Sequence, residues 1–219
     1  PRGFVSERAS RLVLLGTAGG PTPKVARSAP AHAVVVNDDI YLVDAGNGVG
    51  RQLVRAGLDI DRLRVVAVTH HHSDHIGDVG TVVLLAWGTG LTSAVRLMGP
   101  KPLKNMIDSY LDFADVDVRT RVADEARPDP HGLIEVHELS GGGPVYEDEN
   151  VRISTCLVDH PPMIAHAYRI DAPDRSYVFS GDTTPNDDLI ALAQGADILV
   201  HEVMHLPSID SLVEAAGAP

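Results

Sequence analysis

The run Thr69, His70, His71, His72, Ser73, Asp74, His75 lies between an apolar strand candidate, Val65 to Val68, and a helical stretch beginning near Ile76. Two imidazoles two residues apart, followed closely by a carboxylate and a third imidazole on a sharp turn, can aim at two adjacent points. Such a turn can hold two cations that share ligands. In a chain of this composition the pattern His-x-His-x-Asp-His arises by chance roughly three times in a thousand sequences. A stray polyhistidine remnant would sit at a terminus, whereas this cluster is embedded where a buried strand gives way to a helix.

The surrounding pattern is that of a layered α/β chain. Strands are expected at Arg11 to Leu15, Ala33 to Val36, Ile40 to Val43, Val65 to Val68 and Ala94 to Met98. Further strands follow at Leu133 to Leu139, Val151 to Val158, Ala165 to Ile170, Ser176 to Ser180 and Asp197 to Val200. Helices are expected at Val49 to Ala56, Ile76 to Trp87 and Pro102 to Phe113, and another after Thr184, read as an N-cap, with Pro185 in its first turn. The acidic stretch Asp115 to Pro130 reads as a loop or excursion. With 219 residues, at roughly 150 per domain, the chain is expected to form one domain over 1–219.

Composition narrows the classes. Lys plus Arg is 18 and Asp plus Glu is 30, giving a formal charge of −12, which repels a polyphosphate backbone at long range and disfavours general nucleic-acid binding. No apolar run approaches the length of a spanning helix, so no membrane partner is expected. The single Cys156 cannot form an internal disulfide, and the redox compartment stays open. The chain opens on Pro1, so the lack of a signal peptide says little about location, with the cytoplasm favoured.

Two more signals fall at strand ends: His160, just before Pro161 and Pro162, and Asp182, after Gly181. Singly, a histidine or a Gly-Asp pair there reads as surface or turn. Jointly, a His-x-His-x-Asp-His turn, a distant His and a distant Asp resemble the metallo-β-lactamase superfamily. That resemblance implies a four-layer αββα sandwich of two mixed sheets. It also implies His70, His72 and His160 on one metal, Asp74 and His75 on the second, and Asp182 bridging. The Asp at the bridge argues against the antibiotic hydrolases. Leu15 to Pro21 with Arg27, and Leu42 to Gly46 with Gly48, resemble the opening blocks of the ribonuclease Z, arylsulfatase and phosphodiesterase branch, where the Asp of the second block, Asp44, supports the metal loop.

Two departures follow. The 22 residues from His160 to Asp182 leave no room for the tRNA-grasping arm of ribonuclease Z proper. His201 and Glu202 resemble the family's His-Glu block, but the chain ends at Pro219 before the last family histidine, so truncation is expected, with His205 not serving as a substitute. The implied cofactors are two divalent ions, zinc first and manganese or iron next, the second weakly held, and with a sheet edge left open for a homodimer. The expected function is hydrolysis of a small-molecule phosphodiester or sulfate ester by a metal-activated hydroxide that Asp74 orients as the catalytic carboxylate. Lactone or thioester hydrolysis, tRNA 3′-end processing and non-catalytic metal binding are the alternatives.

Overall fold

The structure is a computed structural model that describes residues 9–205 and 207. The first sheet begins with β1 (Arg11–Gly16), β2 (Ala31–Val36) and β3 (Asp39–Val43), joined antiparallel. β4 (Leu63–Ala67), β5 (Val95–Pro100) and β6 (Ile134–Leu139) then add in parallel, so the six strands lie in sequence order. The second sheet has the order β11-β10-β9-β8-β7, from β7 (Gly143–Glu147), β8 (Arg152–His160), β9 (Met163–Asp171), β10 (Ser176–Phe179) and β11 (Ile198–Val200). The β10–β11 pair is parallel and the others are antiparallel.

Each sheet has one face toward the other and one toward helices. Val34, Tyr41, Val43, Val65 and Met98 pack across the middle against Ile153, Tyr168, Ile170, Tyr177 and Phe179. The opposite face of the first sheet, with Ile40, Leu42, Val66 and Leu97, packs on α1 (Val49–Arg55), α3 (Val79–Thr89) and α4 (Leu103–Glu125). α5 (Asp187–Ala193) covers Cys156, Val158, Ala167 and Val178 on the outer face of the second. Strands buried on both faces read as continuous apolar runs, which is why β3 and β4 are legible in the sequence. The expected αββα sandwich of two mixed sheets is the observed one.

Four expectations change. The helix read as Ile76 to Trp87 is two: a single turn, α2 (Ser73–Ile76), then α3. The break falls at Gly77 and Asp78, where Asp78 turns its carboxylate to the Gly48 amide and the Asn47 side chain. The helix read as ending at Phe113 runs on to Glu125, through much of the presumed loop. Val118 is buried two turns after Leu111, and the acidic run is paired at i,i+4 by Arg119–Asp115, Arg121–Asp117 and Arg121–Glu125, so charge there supports the helix. β7 was not anticipated, because its Gly-Pro start hides the strand. Asn186, whose side chain accepts from the Leu189 amide, caps α5 in place of Thr184.

Candidate metal centre

The functional side chains lie where strands end at one rim of the sandwich. β3 runs into Asp44, held at φ 60°, and β4 runs into Thr69 and the histidine turn. β8 ends on His160. β10 leads through Gly181, at φ 61°, to Asp182. Gly181 is needed both for that angle and for space, since a Cβ there would lie 2.9 Å from the Thr69 Cβ and 3.3 Å from the His166 carbonyl. Gly46 lets the Asp44 turn touch the histidine turn, because a Cβ on it would stand 2.1 Å from the Asp74 carbonyl oxygen.

His70, His72, His160 and Asp182 each offer one ligand atom within 4.8 Å of the others. His72 Nδ1 lies 3.0 Å from His70 Nε2 and 3.0 Å from His160 Nε2. Thr69 Oγ1 donates to Asp44 Oδ2 at 2.9 Å, so its 3.0 Å contact with His70 must receive the His70 Nδ1 proton. That leaves His70 Nε2 with its lone pair facing inward. One nitrogen on His72 then cannot satisfy two neighbours by hydrogen bonding, since it carries one proton or one lone pair. The edge of a tetrahedron with 2.0–2.1 Å metal–nitrogen bonds is about 3.3 Å, close to the observed separations, and a cation at the centre resolves the conflict. The donor set fits a divalent ion.

Next to it, Asp44 accepts from the Thr69 amide at 2.8 Å and from His75 Nδ1 at 2.7 Å. His75 Nε2 is thereby aimed at Asp182 Oδ1, 3.4 Å away, and Asp74 Oδ2, 3.7 Å away. A carboxylate behind the imidazole fixes its tautomer and direction, the arrangement found behind metal-binding histidines. Burial holds His70 down to about 4, with further repulsion from His75, so it is neutral and its lone pair available. Burial also opposes charge on His75, but hydrogen bonds and charge from Asp182 and Asp44 outweigh it and lift His75 to about 10. Asp182 lies below the usual carboxylate range, because His75 more than offsets the effect of burial.

All six residues expected at the site, His70, His72, Asp74, His75, His160 and Asp182, are thus brought together. His205 is exposed and outside the group of four, and the stretch after it lies outside the described residues except for Pro207. His201 is also exposed, its Nδ1 donating to the Glu202 carbonyl. The sequence reading missed Thr69, whose hydroxyl sets the His70 tautomer; its place beside the histidines was the available signal. It also missed His166 on β9, fully buried and held down to about 4 by burial, with an amide that donates to the Thr69 carbonyl at 2.9 Å. No local motif marks His166.

Residues 40–209 match the beta-lactamase superfamily domain. Ribonuclease Z of Mycobacterium bovis (strain BCG / Pasteur 1173P2) is 34% identical over 197 residues, covering 88% of this chain and 70% of that protein. Ribonuclease Z of Mycobacterium marinum is also 34% identical over the same length and shares. Among solved structures, the short form of human tRNase Z superposes with a TM-score of 0.74 at 19% identity, covering 94% of this chain and 83% of that one. The metallo-β-lactamase fold protein YhfI of Bacillus subtilis gives 0.66 at 19%, with 87% and 69% covered. These relatives correct the expected partners: the reading of a small-molecule ester and against nucleic acid is overturned by kinship with ribonucleases. Net charge misled because it averages the whole surface, whereas a nucleic acid meets only the mouth of the site. The missing arm stands as an observation, since β9 and β10 fill the interval from His160 to Asp182. No helix among the described residues is long and apolar enough to cross a membrane. By sequence kinship, fold and the histidine–aspartate cluster, the chain belongs to the metallo-β-lactamase superfamily, in its ribonuclease Z-like branch, and is a metal-dependent hydrolase.

Proposed function

We infer that this chain cleaves a phosphodiester bond in RNA, with the 3′ region of a tRNA precursor as its substrate class. The observation that carries this reading is 34% identity to ribonuclease Z across 88% of the chain, in a protein whose six metal-type donors converge. His70, His72, His160 and Asp182 would hold one ion, and Asp74, His75 and Asp182 a second with fewer protein donors and weaker retention. Zinc suits a set dominated by imidazole, and manganese or iron would also be accepted. When bound, such ions lower the pKa of water toward about 7 and draw charge from phosphoryl oxygens.

The chain's own groups supply direction and proton handling. Asp74 is nearly buried, 8% exposed, at the side of His75 that faces Asp182. It would orient the attacking water and accept its proton. Asp44 keeps His75 in one orientation throughout.

Access for an anionic backbone comes from the segment between β1 and β2. Its base packs beside the centre, since the Gly46 amide donates to the Pro30 carbonyl and a Cβ on Gly46 would lie 2.7 Å from the Ala29 Cβ. Lys24 and Arg27 on this segment are exposed, and among the described residues neither has an acidic partner. Each phosphate contact contributes roughly 0.7–0.9 to the slope of log affinity against log salt. The double variant Lys24→Ala, Arg27→Ala is therefore expected to weaken tRNA binding and flatten that slope by about 1.5, read by fluorescence anisotropy over a salt series. An unchanged slope would remove this segment from the RNA path.

A second expected result concerns protons. With His75 lifted to about 10, an ion that takes its Nε2 at neutral pH must displace a proton. Metal titrations in buffers of different ionisation enthalpy should report about one proton more released by the parent than by a His75→Ala protein.

The deciding assay incubates metal-loaded protein with a tRNA precursor carrying a 3′ extension and maps the product ends. A single cut that releases the extension is expected. Fully metal-loaded protein that leaves the precursor intact would refute the reading.

A further inference from the structure

Asp182 stands at the meeting point of the two halves of the site, yet its loop is short and begins with a glycine. What holds it is the segment after β11. The Ser180 amide donates to the Val200 carbonyl at 3.0 Å. Glu202 then closes on the loop twice: its amide donates to Ser180 Oγ at 3.1 Å, and its carboxylate Oε1 accepts from the Thr183 amide, the residue following Asp182. Ser180 Oγ in turn donates to the Gly181 carbonyl at 2.6 Å. The turn Ser180 to Thr183 is thus gripped on both sides of Asp182 by one residue, 20 positions later in the chain.

We propose that Glu202 is a positioning residue for the bridging carboxylate, acting through the Thr183 amide and not as a ligand. This rests on the reading of Asp182 as a metal-bridging residue. The physical basis is that a carboxylate accepting from a backbone amide makes a charge-assisted bond, stronger and more directional than a neutral one. Asp182 itself receives no hydrogen bond from its own loop; its imidazole neighbours are His70 at 3.9 Å and His75 at 3.4 Å. The Thr184 amide, which donates to the Asp159 carbonyl at 3.0 Å, anchors the far end of the turn, and Glu202 fixes the stretch between that anchor and β10, so the orientation of Asp182 depends on the turn that carries it. Glu202 is partly exposed and does not belong to the group of four converging donors. Groups that orient metal-binding residues from behind typically change metal affinity 10–100-fold when removed.

The test uses the full chain and three variants, Glu202→Ala, Glu202→Gln and Asp182→Asn, with zinc binding followed by calorimetry and amide exchange of residues 180–184 followed by mass spectrometry or NMR. Glu202→Ala should weaken zinc binding about 10–100-fold and speed exchange at Thr183. Glu202→Gln keeps an acceptor oxygen for the Thr183 amide, without the charge, and should restore part of both. If Glu202→Gln holds the Thr183 amide at the wild-type exchange rate yet binds zinc as poorly as Glu202→Ala, the effect is one of charge and the positioning role is wrong. If Glu202→Ala frees the Thr183 amide while zinc affinity stays at the wild-type level, the tether exists but positions nothing, and the proposal is overturned. Should Asp182→Asn bind zinc as well as wild type, the fault lies in the bridging reading beneath the proposal. The exchange data then still report whether Glu202 holds the turn.

Discussion

The His72→Ala protein is expected to fold, to lose its metal and to lose hydrolysis by on the order of a thousandfold or more. His72 Nδ1 is the hub of the centre, 3.0 Å from both of the other converging nitrogens. Removing it leaves His70, His160 and Asp182 as donors, with the shared corner of the coordination shell missing. The side chain is only half-buried and lies on a turn, so little apolar packing is lost and the circular dichroism spectrum should stay that of the parent. Elemental analysis after zinc loading and desalting checks the claim. A variant that keeps a full complement of tightly held zinc would show that the ions are bound elsewhere.

The Asp44→Ala protein should suffer in stability as well as in metal binding. Asp44 is 2% exposed and accepts three hydrogen bonds, from the Thr69 amide, the Thr69 hydroxyl and His75 Nδ1. Alanine leaves three buried donors without an acceptor, each costing about 1–3 kcal/mol, and removes one of the two carboxylates, with Asp182, that keep His75 charged. A loss of about 3–5 kcal/mol is expected in urea unfolding, a large share of the 5–15 kcal/mol typical of a domain. Zinc binding at the His75 side should fall with it, because the imidazole is free to rotate. The Asp44→Asn protein, which keeps one acceptor oxygen for the Thr69 amide, should fall between the two. A loss under about 1 kcal/mol in the alanine variant would mean that these donors find other partners, against the general cost of such orphans.

How much of this was legible in the sequence depends on how local each signal is. The histidine turn sits within six residues, so its chemistry is readable directly, and β3 and β4 announce themselves because strands buried on both faces carry unbroken apolar runs. His160 and Asp182 became legible only jointly, since each is an ordinary turn residue by itself. α4 beyond Phe113 was misread because its stabilising charges alternate in sign along the helix surface and resemble a solvated loop until paired at i,i+4. The hold of Glu202 on Thr183 links residues 19 positions apart through a backbone amide, and Thr69 and His166 act through contacts that only the packed sheets create. The expectation against nucleic acid failed for another reason: a whole-chain charge of −12 says nothing of where Lys24 and Arg27 stand.

Anomalous diffraction at the zinc edge, on crystals of the zinc-loaded protein, tests the central claim most directly. A strong peak is predicted within bonding distance of His70 Nε2, His72 Nδ1, His160 Nε2 and Asp182, with a weaker one among Asp74, His75 and Asp182. Zinc-loaded crystals with no peak among these side chains, or with the strong peak at other residues, would contradict it.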